Sequence, residues 1–178
     1  DLLVLVERNA KIAFENRFKI LKSDKRKLLE HLQRDLDLPQ LPKWIEAFDV
    51  SNIQGTESVA SVVVCEEGVM QKSRCRKYKI KSVQGPDDVH SIYEVVYRRY
   101  QRLKAEEDSL PDLIVIDGGK GQLQSAYQAL SKLGIEDIPL ASIAKREEIV
   151  FVQGREDPVV LPRNSPVLHL IQEIRDEA

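Results

Sequence analysis

Pro111-Asp112-Leu113-Ile114-Val115-Ile116-Asp117-Gly118-Gly119-Lys120-Gly121-Gln122 joins a short apolar run to a carboxylate, two glycines, a lysine and the start of a helical pattern. A continuous apolar run bounded in this way is the pattern of a buried parallel strand in an α/β sheet. Ligands of open α/β sheets gather at the carboxyl ends of the strands, where loops and helix N-termini can meet them. Asp117 is therefore the first candidate functional residue.

Downstream, Leu123, Ala126, Leu130 and Leu133 mark the buried face of a helix over 122–133 that stops at Gly134. Residues 138–145 predict another parallel strand ending at Lys145, 148–161 a hairpin over Gln153-Gly154-Arg155, and Ser165-Pro166 the start of a last helix through Leu168, Ile171 and Ile174. Upstream, Asp87-Asp88 opens a helix whose apolar face carries Val89, Ile92, Val96, Tyr100 and Leu103. Before it come three strand candidates: 44–51, then 59–65, then a returning arm over 69–81. Asn52-Ile53-Gln54-Gly55-Thr56 is a turn or bulge between the first two, and Glu66-Glu67-Gly68 turns the second into the third.

The order is strand, strand, strand, helix, strand, helix, strand, hairpin, helix. Three meandering strands followed by right-handed βαβ connections predict a mixed five-stranded sheet flanked by helices, the ribonuclease H-like order. Residues 1–42 are expected to be a helical lead-in and linker, and 43–178 the domain itself. Two packing helices are expected in the lead-in, one from Leu2 to Phe14 and one from Lys25 to Leu36 after Ser23-Asp24 as caps. Leu38-Pro39-Gln40-Leu41-Pro42 is the linker, since each proline disfavours helix in the residue before it.

Of the 178 residues, 42% are hydrophobic and 31% charged, which excludes a disordered or membrane-spanning chain in favour of an ordinary globular one. A net charge of −2 singles out no partner. Cys65 and Cys75 are too few for a disulfide framework and lack metal-ligand spacing; they read as reduced thiols of a cytoplasmic protein. The chain does not open on methionine and is expected to be a piece of a longer one.

In the ribonuclease H-like order the first and fourth strands lie side by side, which makes neighbours of Asp49 and Asp117. Paired carboxylates suit Mg²⁺ or Mn²⁺, hard cations that bridge to phosphate, and such ions support phosphodiester hydrolysis. Taken singly, each aspartate also reads as a helix cap. Gly118-Gly119-Lys120-Gly121 lacks the spacing of a P-loop; Lys120 and Lys145 are candidate phosphate contacts or solvated lysines. Arg74, Arg76, Lys77 and Lys79, with Arg98, Arg99, Arg102 and Lys104 on the next helix, form either a phosphate-tracking surface or a charged edge that resists aggregation.

Phe48-Asp49-Val50-Ser51-Asn52-Ile53-Gln54-Gly55, Arg76-Lys77-Tyr78-Lys79-Ile80, Pro86-Asp87-Asp88, Ile116-Asp117-Gly118-Gly119-Lys120-Gly121-Gln122-Leu123 and the run from His169 to Ala178 together resemble the C-terminal nuclease half of the C subunit of the bacterial UvrABC excinuclease. The resemblance covers nearly the whole chain. It implies a metal-dependent endonuclease of nucleotide excision repair that joins UvrB, with UvrA upstream, on damaged double-stranded DNA and incises 5′ to the lesion. It implies Asp49 and Asp117 as metal ligands and Asp88 as an acidic position linked to activity, although as a helix start Asp88 also reads as a cap. The family's third group is a histidine directly after the Arg-Asp-Glu-Ala run, and this sequence stops at Ala178; His169 lies almost three turns earlier and is not assigned that role. The rival reading is a non-catalytic module of the same fold that docks DNA or protein.

Overall fold

The computed structural model describes residues 2–53, 57–83, 85, 87–146 and 149–178. Its elements are α1 (Leu2–Asp35), β1 (Trp44–Ile53), β2 (Glu57–Glu66), β3 (Val69–Met70), β4 (Arg76–Lys79), α2 (Asp88–Ala105), β5 (Leu113–Asp117), α3 (Lys120–Lys132), β6 (Leu140–Ala144), β7 (Ile149–Val152) and α4 (Pro166–Glu177).

The strands form one mixed sheet in the order β3-β2-β1-β5-β6-β7, with β4 also paired to β2. β1 and β2 are antiparallel, β1, β5 and β6 run parallel, and β7 returns antiparallel on β6. Alternate residues of each strand face opposite layers. Ile45, Ala47, Leu113 and Val115 pack with the end of α1 and with α4, whereas Phe48, Ile114 and Ile116 pack with α2 and α3. The strands between the two layers are apolar on both sides, which is why the central run around Ile114 shows no alternation in the sequence.

The expected architecture stands, but the sheet has seven strands instead of five, and three details differ. The arm over 69–81 is two strands, because a 3-10 turn at Lys72–Arg74 interrupts it. The segment expected as a separate hairpin sends its first arm, β7, onto the main sheet and keeps a single bridge, Val150 to Val159, for its second; Glu148, where that hairpin was placed, lies outside the described residues, as do Gln54, Gly55, Thr56 and Pro86. The lead-in is one 34-residue helix instead of two. Ser23 and Asp24 cost a helix interior only a few tenths of a kcal/mol each, less than stopping and renucleating it. Nor does its first part pack: Leu3, Phe14 and Phe18 are 70%, 72% and 61% exposed, and burial begins with Leu29, Leu32 and Leu36.

Glu46 is fully buried and receives hydrogen bonds from Arg99 Nη2 at 2.7 Å and Tyr100 Oη at 2.8 Å. The pair joins α2 to β1 and removes Arg99 from the basic surface on which the sequence places it. Desolvation opposes the Arg99 charge, but the hydrogen bond and charge of Glu46 outweigh it and raise its pKa.

Candidate active site

Phe48 lies opposite Ile116 in the parallel pairing of β1 with β5. The next residues, Asp49 and Asp117, thus emerge side by side, Asp117 at the carboxyl end of β5 and Asp49 just past the stretch of β1 that pairs with it. Asp117 keeps 4% of its side chain exposed and Asp49 keeps 22%. Burial first, then a shared hydrogen bond with Asp117 and its like charge, push the Asp49 carboxyl up to about 6; Lys145 pulls the other way. Two carboxylates this close are short of positive charge.

Lys145, in the turn after β6, partly supplies it. Its ammonium is 2.8 Å from Asp117 Oδ2 and 3.9 Å from Asp49 Oδ1. Its own pKa is raised, mainly by the bond to Asp117. Arg175, in the last turn of α4, stands near enough to oppose that rise, so the C-terminal end of α4 approaches the same place.

The carboxylates open into a cleft of about 240 Å³ with Asp88, Gly118, Lys145 and Arg146 on its walls. Between the two residues that could start α2, Asp87 is the cap: its side chain accepts from the His90 amide at 3.1 Å. Asp88, one residue on, faces the cleft and accepts from Asn52 Nδ2 at 3.4 Å. Gly118 has φ of +156°, and a Cβ there would come within 2.9 Å of the Gln122 side chain, which is folded back to accept from the Gly119 amide at 3.1 Å. The tight turn thereby sets α3 directly behind Asp117.

The remaining candidates lie elsewhere. Lys120 turns away from the carboxylates to sit 5.3 Å from the Phe151 ring centroid. Arg74 pairs with Glu66 and covers Trp44, Arg76 donates to the Ser73 and Cys75 carbonyls, and Lys79 pairs with Glu57 at 2.6 Å. Lys77 is exposed on β4, opposite Ser61, which is itself opposite Asp49. Arg98, Arg102 and Lys104 are engaged by Glu94, Glu106 and the Leu133 carbonyl. His169 contacts the Arg163 carbonyl through Nε2 at 3.0 Å and is not a wall of the cleft. Asn52 and Arg146 were given no site role from the sequence; Asn52 stands within the motif that carries Asp49 and Arg146 directly follows Lys145, which is the signal that could have found them.

Among the described residues, no group of three or more His, Cys, Asp and Glu side chains is arranged as a metal cage. Two adjacent carboxylates with an acid across the cleft still fit Mg²⁺ or Mn²⁺, since Mg²⁺ is ordinarily held by one or two carboxylates while substrate phosphate and water complete its shell. The elevated Asp49 pKa marks the same site as one where added positive charge is stabilising.

The sequence pattern of the UvrC RNAse H endonuclease domain matches residues 33–178. The chain belongs to that family. UvrABC system protein C of Solibacter usitatus is 58% identical over 178 residues, covering 99% of this chain and 29% of its own length. The protein of the same name from Koribacter versatilis is 54% identical over 179 residues, covering 100% and 29%. The chain therefore spans less than a third of these curated relatives. The catalytic domain of human endonuclease V superposes on 73% of this chain and 59% of its own with a TM-score of 0.45 and 15% identity. As a UvrC RNase H domain, the chain carries Asp49 and Asp117 on the two central strands, and no helix among the described residues is long and apolar enough to cross a membrane.

Proposed function

We propose that this domain hydrolyses a phosphodiester bond of damaged double-stranded DNA during nucleotide excision repair, cutting 5′ to the lesion within a longer protein that works with UvrB after UvrA. The single observation that carries the reading is the placement of Asp49 and Asp117 side by side, with Lys145 between them and solvent. Asp49 and Asp117 hold Mg²⁺ or Mn²⁺. When bound, such an ion activates water and stabilises the leaving oxygen.

The chain's own groups do the rest. Lys145 offsets the charge of the carboxylate pair and is 65% exposed, so its ammonium can turn toward an arriving phosphate. Arg146 adds charge to the same wall, and Asp88 sets the opposite rim. Lys77, at the outer edge of the sheet on the Asp49 row, extends a path for the DNA backbone. Arg76 and Lys79 join it by exchanging exposed protein partners for phosphate, an exchange that surface pairs worth about 0–1 kcal/mol permit. Arg74 and Lys120 serve the same backbone from farther out.

Asp49→Asn and Asp117→Asn, each made in the longer protein, are expected to lower Mn²⁺-dependent nicking of damaged DNA in the presence of UvrA and UvrB by at least about 100-fold, with DNA loading retained. Unchanged nicking would leave the domain a docking module.

A further inference from the structure

We propose that the groove between the start of α3 and the turn after β7 seats a nucleotide of the strand being cut, its base stacked on Phe151 and its phosphate on Lys120. This deepens the nuclease reading and rests on it. The groove has a volume of about 350 Å³, and Lys120, Gln124, Phe151, Gln153 and Arg155 are among the residues that line it, with one acid, Glu156, at the Arg155 end. It adjoins the carboxylate cleft around the first turn of α3, since Gly119 and Gln122 face one side and Lys120, Leu123 and Gln124 the other.

Strand register fixes the separation. Ile116, the residue before Asp117, is opposite Ser142, and Ser142 is opposite Phe151. Two steps across a sheet are about 10 Å, a span of about three stacked base steps. Phe151 faces the α3 layer in the row of Ile116, whereas Asp117 alternates to the other side, so a strand with its scissile phosphate at Asp49 and Asp117 reaches Phe151 by passing around the first turn of α3, which borders both the cleft and the groove.

The chemistry of the groove suits that occupant. Phe151 is half-buried, and its ring is covered by the flexible ammonium of Lys120 at 5.3 Å from the centroid. An ammonium over a partly wet ring is a weaker partner than a stacked base, so an incoming base displaces it, and the freed ammonium is left beside the nucleotide's phosphate. Arg155 forms no ion pair among the described residues, and the side chains of Gln124 and Gln153 make no hydrogen bond among them. The opposite edge of the sheet differs, with Arg74 and Lys79 already paired to Glu66 and Glu57. An aromatic platform with cations and amides beside it that have no ion pair or side-chain hydrogen bond among the described residues is the composition of a sequence-tolerant single-strand site.

The test uses a single-stranded oligothymidylate carrying one 2-aminopurine, titrated into the chain in EDTA so that cleavage does not enter. Wild type is expected to bind and quench the probe. Phe151→Leu, which keeps an apolar side chain but no ring, is expected to weaken binding at least fivefold, Phe151→Trp to retain it, and Lys120→Met to flatten the salt dependence by about one phosphate contact. Weakening of less than fivefold in Phe151→Leu, or no binding by wild type, overturns the proposal. Failure of the nuclease reading would appear separately, as unchanged nicking by the Asp49 and Asp117 variants.

Discussion

At the scale of single residues, the decisive pair is Asp49 with Asp117, two acids that the sheet holds together against their repulsion. A carboxyl whose folded pKa is about 6 against an ordinary 3.8 is better tolerated protonated. Its contribution to stability is favourable below pH 3.8 and is lost as pH rises through 6. Asp49→Asn is therefore expected to stabilise the metal-free chain at pH 7.5 by about 1–3 kcal/mol and to gain little at pH 3.5, as urea unfolding at the two values will show. Mn²⁺ affinity should run the other way, falling about tenfold per pH unit below about 6, because the ion requires the ionised carboxylate. The pair was legible in the sequence because Asp117 closes an apolar strand and the strand order sets the first strand, which carries Asp49, beside the fourth. Asp88 was reached only through the family resemblance, since Asp87 and Asp88 both suit a helix start and only the geometry shows that Asp87 caps while Asp88 faces the cleft. Arg99 was misplaced for a related reason: local charge reads as surface, and its partner Glu46 lies 53 residues away.

At the scale of elements, legibility followed how locally each boundary is encoded. The central strands and α2, α3 and α4 carry their own apolar faces and caps, and they occur close to where the pattern puts them. The break between β3 and β4 is a tertiary effect on a short edge arm, and nothing in Gln71-Lys72-Ser73-Arg74 announces it. The lead-in helix teaches the reverse: with neither glycine nor proline between Leu2 and Asp35, weak capping residues do not divide a helix. Apolar spacing there predicted packing, yet Leu3 through Leu21 include nine large apolar side chains at least 46% exposed: Leu3, Val4, Leu5, Val6, Ile12, Phe14, Phe18, Ile20 and Leu21. Removing residues 1–16 is accordingly expected to change the unfolding free energy by no more than about 0.5 kcal/mol, measured by urea denaturation. A larger loss would mean that this part of α1 supports the sheet.

At the scale of the molecule, two helical layers sandwich a sheet whose central parallel pairing ends at one place, and four side chains converge there. Asp49 and Asp117 come from β1 and β5, Lys145 from the turn after β6, and Asp88 from the start of α2. The end of α4 approaches from the other layer through Arg175. Such convergence is what strand order achieves that sequence proximity cannot, and it was readable only once the order of strands and helices had been assembled. The most direct test is a crystal of the chain soaked in Mn²⁺ and measured at the manganese absorption edge. An anomalous peak within about 2.5 Å of carboxylate oxygens of both Asp49 and Asp117 is expected; a peak away from this pair, or none at saturating Mn²⁺, would contradict the two-aspartate metal site.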